Sequence, residues 1–400
     1  MCDYRNEFPQ LAREVYGRPL VYLDNAATSL RPRSVIACWD EISSVRTANL
    51  HRAVHRVATE ATEAYEAARD AVKTFINAPE REEVIFTSGA THSINLAAWS
   101  FGEAFISEGD EILVDEAGHH SNIVPWQMLC ERKGATLKVL PVGDDGAMRL
   151  DLLPELLSPR TKLIAVAHVS NVIGLVNPVR KIADAARAVG AKLLVDGAQG
   201  VVHQHVDVQA LGCDFYAFSG HKMYGAPGTG VLWGRRELLE QMPPMFGGGE
   251  MIQTVRWAGT TYAPLPRKFE AGTQNISGTP CFVPAIECLR SMKQDEGIKE
   301  RVYRELMSMT DVRLFGTTED LSTKVPVFSI AVEGAHHEDL ALILDKMGVA
   351  VRSGQMCAEP LMDRFGVTGM VRVSFAPYNT LGEAEYFMKS LDRAIKMLEG

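Results

Sequence analysis

The chain lacks any apolar run approaching the ~20 residues that a membrane-spanning helix requires, so no span is expected. It also lacks an excess of positive charge. The formal net charge is -9, and no basic stripe stands against it, which argues against nucleic acid as the main partner. Cysteine is sparse and scattered: Cys2, Cys38, Cys130, Cys213, Cys281, Cys288 and Cys357 form an odd set with no C-x-x-C pair. Such a set is neither a disulfide framework nor a zinc site, and most of these thiols are expected to be reduced and inert. There is no internal repeat, low-complexity tract or long linker. No G-x-G-x-x-G opens a helix after the first strand, which sets a nicotinamide-dependent dehydrogenase aside. The opening residues lack the charged-then-apolar layout of a signal peptide, so a cytoplasmic location is expected.

What is present is an ordinary globular composition, 46% hydrophobic and 23% charged over 400 residues. That length suits two domains, or one large domain with a smaller one attached. From about Glu82 to Leu232, short apolar runs alternate with helical patterns. EVIFT precedes a helix from His92, EILVD a segment from Ser121, and KLIAVAHVS a helix from Val179; LKVLPV, KLLVDGAQG, FYAFSG and GTGVLWG supply further strands. This alternation predicts an α/β fold, a mainly parallel sheet flanked by helices, with ligands beyond the carboxyl ends of the strands. The remainder reads as a smaller α+β domain: helical from Leu289, a strand in VPVFSIAV, a helix from Glu338, strands in GVAVRSG and MVRVSFA, and a closing helix from Gly382. The division is expected near Pro284, with residues 20–284 as the large body and residues 285–400, joined by residues 1–19, as the small one. Pro243 to Glu250, rich in glycine and proline, reads as a loop at a possible subunit boundary.

The chemistry is concentrated where strands give way to loops. KLLVD delivers Asp196 at its end, and FYAFS is followed by His221 and Lys222. A lysine against apolar surroundings loses the solvation that favours its charged form, so its amine becomes nucleophilic. An acid in the same crevice is what a protonated pyridine nitrogen needs. Together they point to pyridoxal phosphate, with Lys222 as the Schiff-base lysine and Asp196 as partner of the pyridinium. Ala90 and Thr91, in SGAT before a helix, suit a phosphate, with Ser219 and His221 as further contacts. Taken alone, Thr91 would serve equally as a plain helix cap.

His119 in GHHSNIVPW offers a ring to stack on a flat cofactor and to handle protons, whereas His120 reads as a loop residue. Asn171 and Gln199 suit the phenolic oxygen of the cofactor, with a simple turn as the rival reading of Asn171. Cys357 in RSGQMCAEP, near Arg352, is a candidate nucleophile, and Arg372 a candidate clamp for a substrate carboxylate. The plain readings are an inert packing thiol and an arginine paired with a structural acid. His51 and His55 stand four apart without a third ligand, so zinc is not expected; His203, His205, His336 and His337 receive no role.

In order along the chain, VYLDNAAT, NLHRAVH, GHHSNIVPWQ, VDGAQG, FYAFSGHKMYG, EAGTQN, RSGQMCAEPLM and VRVSFAPYNT resemble the class V aminotransferase-like, fold-type I pyridoxal phosphate enzymes. Within them the chain is similar to the SUF-type, group II cysteine desulfurases, the branch that includes selenocysteine lyases. The resemblance implies the roles named above for Lys222, Asp196, His119, Thr91, Ser219, His221, Asn171 and Gln199, and adds Thr273, reaching the phosphate from the other subunit of a homodimer. It implies that Arg372 binds the carboxylate of L-cysteine or L-selenocysteine, with Arg352 and Asn171 as further substrate contacts, and that Cys357 takes the sulfur as a persulfide. It also implies delivery to a small sulfur-acceptor protein of the SUF system, for iron–sulfur cluster assembly. Three departures stand out: TSGAT where an arginine often precedes the glycine, GTQN for GTPN, and Met356 where histidine commonly precedes the cysteine. Other reactions on the same cofactor are the near rivals, and Cys357 separates a desulfurase from an aminotransferase. A silent sulfur-transfer scaffold is the rival of a different class, opposed by the intact Lys222, Asp196 and Cys357.

Overall fold

The computed structural model describes residues 4–52 and 54–399, so Cys2 and the first residues of the amino-terminal segment lie outside the described residues. Two amphipathic helices, α1 (Arg33–Val45) and α2 (Arg56–Phe75), precede the sheet. In α2 the buried residues Ala58, Ala61, Tyr65, Ala68 and Val72 recur at three- and four-residue steps, the spacing of one helical face. His55 caps this helix by accepting the Ala58 amide, and His51 lies 3.0 Å from Glu66.

The central sheet is assembled from β1 (Val84–Thr87), α3 (Ala90–Phe105), β2 (Glu111–Asp115), α4 (Val124–Lys133), β3 (Thr136–Leu140), β4 (Thr161–Ala167), α5 (Val179–Val189), β5 (Lys192–Asp196), β6 (Phe215–Ser219) and β7 (Gly230–Gly234). Its order is β1-β7-β6-β5-β4-β2-β3, with β7 antiparallel to both neighbours and the other pairs parallel. Apart from the edge strand β3, which is partly exposed, the strands are near-continuous apolar runs, as expected of strands covered on both faces. In β6, Phe215 and Ala217 enter one core while Tyr216 and Phe218 enter the other, the period of two expected of a strand. The sheet is thus the mainly parallel α/β arrangement expected from the sequence.

Beyond the hairpin β8 (Ile252–Arg256) and β9 (Gly259–Tyr262), α6 (Phe282–Ser291) leads into the smaller body: α7 (Glu296–Ser308), β10 (Val312–Phe315), β11 (Val327–Val332), α8 (His337–Lys346), β12 (Arg352–Gly354), α9 (Glu359–Phe365), β13 (Met370–Ser374) and α10 (Leu381–Glu399). Its sheet runs β10-β11-β13-β12, antiparallel throughout, over a separate core that also takes in Val21 and Leu23. Two local expectations need correction. The helix from Leu289 is broken at Met292–Asp295, because Asp295 caps a new helix by accepting the Gly297 amide. GVAVRSG forms two strands, since Val349–Ala350 pairs with Val21–Tyr22 whereas Arg352–Gly354 pairs with β13. The amino-terminal segment packs Phe8 and Leu11 against Tyr224 of the large body and Met292, Ala376 and Tyr378 beyond it.

One ion pair anchors the loop that carries Thr273. Arg69 reaches both carboxylate oxygens of Glu270 (2.8 and 2.9 Å), each side chain being 1% exposed. The Phe86 amide adds a third bond at 2.7 Å. Arg69 would keep Glu66 at 3.0 Å, so its charge is not stranded, but the charge-assisted bonds to Glu270 would weaken. Glu270→Gln is therefore expected to lower unfolding stability by about 1.5–3 kcal/mol, read from urea denaturation midpoints at constant slope.

Candidate active site

A cavity of about 210 Å³ opens at the carboxyl ends of the parallel strands, where the strand-end polar residues converge. Asp196 ends β5 and Ser219 ends β6, so adjacent strands bring them to one wall. Lys222 follows in the 3-10 turn Gly220–Lys222 and is held in the same space. Among the described residues, Lys222 Nζ has no hydrogen-bond partner. Burial pulls its pKa down, opposed by the nearby Asp196 charge and reinforced by Arg372. Asp196 is 7% exposed; burial raises its pKa and the Lys222 charge opposes that. The Ala198 amide fills its Oδ1 at 3.0 Å, while Oδ2 has no protein partner among the described residues. One unpartnered amine and one free carboxylate oxygen are thus left facing the same space.

The phosphate end is built by backbone geometry. Helix α3 starts at Ala90, two residues earlier than its pattern indicates, because Gly89 takes φ +152°, a conformation that side-chain-bearing residues avoid. The Ala90 amide donates to Ser219 Oγ at 2.8 Å, and Thr91 Oγ1 lies 2.6 Å from Ser121 Oγ, a lining hydroxyl the motif reading missed. His221 completes this side, its Nδ1 3.2 Å from Thr28 Oγ1. A helix start whose cap residue, Gly89, has no side chain, ringed by three hydroxyls, fits an anion.

His119 covers the cavity from the end of the β2 loop. Its Nδ1 accepts the Ser121 amide at 3.1 Å, so its proton sits on Nε2. Burial and the Lys222 charge push its pKa down to about 4, keeping the ring neutral. His168, His203 and His221 are likewise pushed down to about 4, with burial the leading cause. Since the unfolded chain takes up these protons near pH 6.5, folding stability is expected to fall as pH drops from about 6.5 toward 4. Asp115, pushed up to about 7 by burial, acts in the opposite sense. Denaturant midpoints across this range test the sign, and His168→Gln is expected to flatten the slope.

The smaller body supplies the opposite wall. Arg372, 3% exposed on β13, donates through Nη2 to Asp24 at 3.1 Å and through Nη1 to Asn171 O at 2.9 Å. Its Nε is buried without a partner among the described residues. Arg352 is exposed and also lines the cavity. Met356 and Cys357 hold φ of 55° and 56°, two consecutive left-handed residues without a glycine, a strain of roughly 1–2 kcal/mol each. Their carbonyls are held in place: Asn171 Nδ2 donates to Met356 O at 2.9 Å, and the His120 amide to Cys357 O at 2.7 Å. His120 Nε2 also accepts the Glu359 amide at 3.0 Å, so a histidine read as a mere loop residue braces the cysteine turn.

Two sequence candidates stand outside the cavity. Gln199 lies behind its wall, where Nε2 donates to Ala26 O at 2.7 Å and Ala198 takes the lining position. Thr273 is exposed in its loop, away from the cavity of its own chain. The partner of Arg372, Asp24, was also missed, although it sits in VYLDNAAT. A larger cavity of about 560 Å³ lies behind Ala26 and Lys222, but Asp196, His119, Arg372 and Cys357 all face the smaller one. Among the described residues, no cluster of three or more metal-ligating side chains occurs, the six cysteines are free thiols, and no helix is long and apolar enough to cross a membrane.

Fold and site together define a fold-type I enzyme of the pyridoxal phosphate class. The free Lys222 amine, the open Asp196 oxygen and the hydroxyl-ringed helix start fit the three ends of that cofactor. The aminotransferase class-V family matches residues 21–387, and the chain belongs to that family. It is 44% identical over 400 residues to a probable cysteine desulfurase of Vibrio cholerae, with 98% of each chain covered. A probable cysteine desulfurase of Xylella fastidiosa is 46% identical, covering 98% of this chain and 95% of the relative. Among solved structures, the cysteine desulfurase CsdA of Escherichia coli superposes with a TM-score of 0.89 at 37% identity, over 98% of each chain.

Proposed function

We propose that this protein is a pyridoxal phosphate-dependent cysteine desulfurase of the SUF-type, group II branch, converting L-cysteine to L-alanine and leaving the sulfur on Cys357. The observation that carries this reading is the placement of Cys357 in one cavity with Lys222, Asp196 and Arg372. An aminotransferase has no use for a thiol there.

When bound, the cofactor supplies an electron sink for the substrate Cα and is held by Lys222. Arg372 binds the substrate carboxylate, its unpartnered Nε being the donor left open for it. Lys222, once released by substrate, takes the Cα proton on Nζ. Asp196 holds the positive charge of the ring nitrogen, and Asn171 and Gln199 orient the ring through its phenolic oxygen, Gln199 being steadied by its bond to Ala26 O. His119 covers the ring face and holds a proton at Nε2. The Cys357 thiolate attacks the substrate sulfur. The sulfur–carbon bond breaks with its electron pair going to carbon, which takes up a proton, and Cys357 keeps the sulfur as a persulfide.

Several finer features belong to the same reading. Ala90, Thr91, Ser219 and His221 hold the phosphate, joined by Thr273 from the partner of a homodimer; its exposure outside its own cavity leaves it free for that. The division near Pro284 separates the cofactor-binding body from the one that carries the cysteine. Cys357 sits in a short, braced turn, so its persulfide needs a small acceptor protein to collect it, with iron–sulfur assembly as the destination. The test is to supply L-cysteine and a thiol reductant and measure both products. Alanine and sulfide in equal amounts are expected; sulfide with pyruvate in place of alanine would reject the reading.

A further inference from the structure

The loop between β4 and α5 presents four consecutive carbonyl groups, and each accepts a hydrogen bond from a different donor of the smaller body. Arg372 Nη1 donates to Asn171 O at 2.9 Å, Ser329 Oγ to Val172 O at 2.6 Å, Lys324 Nζ to Ile173 O at 2.7 Å, and the Val325 amide to Gly174 O at 2.8 Å. Gly174 has φ +65°, and a Cβ there would lie 2.6 Å from Val327 O, so the loop is pressed directly against β11.

Lys324 is the unusual member. It is 1% exposed, and among the described residues no carboxylate pairs with it. Its second bond goes to Gly316 O at 2.9 Å, and the rings of Phe328 and Tyr303 lie 5.3 and 6.0 Å away. Burying an amine without a counter-charge is costly, and a methionine would fill the same space without that cost. What the amine grips is the loop that carries Asn171. Asn171 Nδ2 in turn donates to Met356 O, the residue before Cys357 in the left-handed turn. A continuous path therefore runs from Lys324 through Ile173 and Asn171 to the nucleophile.

We propose that Lys324, seconded by Ser329, is a positioning residue: it fixes Asn171 through the loop carbonyls and thereby sets the attack position of Cys357. The proposal rests on the desulfurase reading for its kinetic consequence but not for its structural one. Without Lys324, Arg372 keeps Asp24 at 3.1 Å although its second acceptor, Asn171 O, sits on the loosened loop, so the smaller loss falls on substrate binding and the larger on the chemical step.

In the cofactor-loaded protein, Lys324→Met is expected to lower kcat for alanine formation about tenfold while KM changes less than about threefold. Site-resolved alkylation of Cys357 by iodoacetamide is expected to speed up about threefold or more as the turn loosens. Ser329→Ala, a milder change that should fold without difficulty, moves both readouts in the same direction by about twofold to threefold. Lower melting temperatures with wild-type kcat, KM and alkylation rate in both variants would overturn the proposal and leave only a structural role. If the wild-type protein makes no alanine from L-cysteine, the desulfurase reading fails. The alkylation rate then decides alone, and an unchanged rate in both variants overturns the positioning role.

Discussion

Lys222→Ala is expected to abolish alanine formation from L-cysteine, by about 10³-fold or more, and to leave a protein from which the cofactor and its visible absorbance wash out on dialysis. The size of the effect follows from the two tasks this one amine performs: it holds the cofactor covalently and it moves the substrate Cα proton. Stability responds differently. Lys222 Nζ makes no hydrogen bond among the described residues, and burial already disfavours its charge. Removing it takes away the counter-charge of buried Asp196, so the cofactor-free protein is expected to lose only about 1–2 kcal/mol of unfolding free energy. A large loss of stability together with the loss of activity would mean that Lys222 is a structural residue.

Cys357→Ala is the second large effect, and it separates sulfur chemistry from cofactor chemistry. Cofactor absorbance and its change on adding L-cysteine should persist, because Lys222, Asp196 and Arg372 are untouched. Alanine formation should fall by about 10³-fold or more, since among the described residues no other thiol shares the cavity. The other described cysteines do not line it: Cys130, Cys213 and Cys281 are buried in the cores, and Cys38 and Cys288 sit half-buried elsewhere. Alanine production at the wild-type rate would exclude Cys357 as the nucleophile, and an aminotransferase or lyase that needs no thiol would then be favoured.

The parts legible in the sequence are those written in local patterns. Fully buried strands ending in polar residues, such as KLLVD and FYAFS, revealed the parallel sheet and placed Asp196, Ser219 and Lys222 at one edge. Long-range partnerships left no local mark. Nothing around His120 shows that its amide and ring would brace a turn more than two hundred residues later, and nothing in LSTKVP shows that Lys324 is buried. The left-handed pair Met356 and Cys357 was hidden because neither residue is a glycine, the usual sign of such backbone. Asp295 was legible in principle: an acid three residues before an apolar helical pattern is a cap signal, and it marks the break that the apolar pattern from Leu289 conceals. Gln199 shows the same limit: its position just after Asp196 indicates a cofactor contact, whereas nothing local indicates that its Nε2 also donates to Ala26 O.

The central claim is that the substrate sulfur passes onto Cys357. The most direct measurement is the mass of the Cys357 peptide after a single turnover with limiting L-cysteine and no acceptor or reductant, with alanine counted in parallel. The account predicts a peptide heavier by one sulfur atom and one alanine released per sulfur gained. Alanine released while the Cys357 peptide keeps its original mass would contradict it.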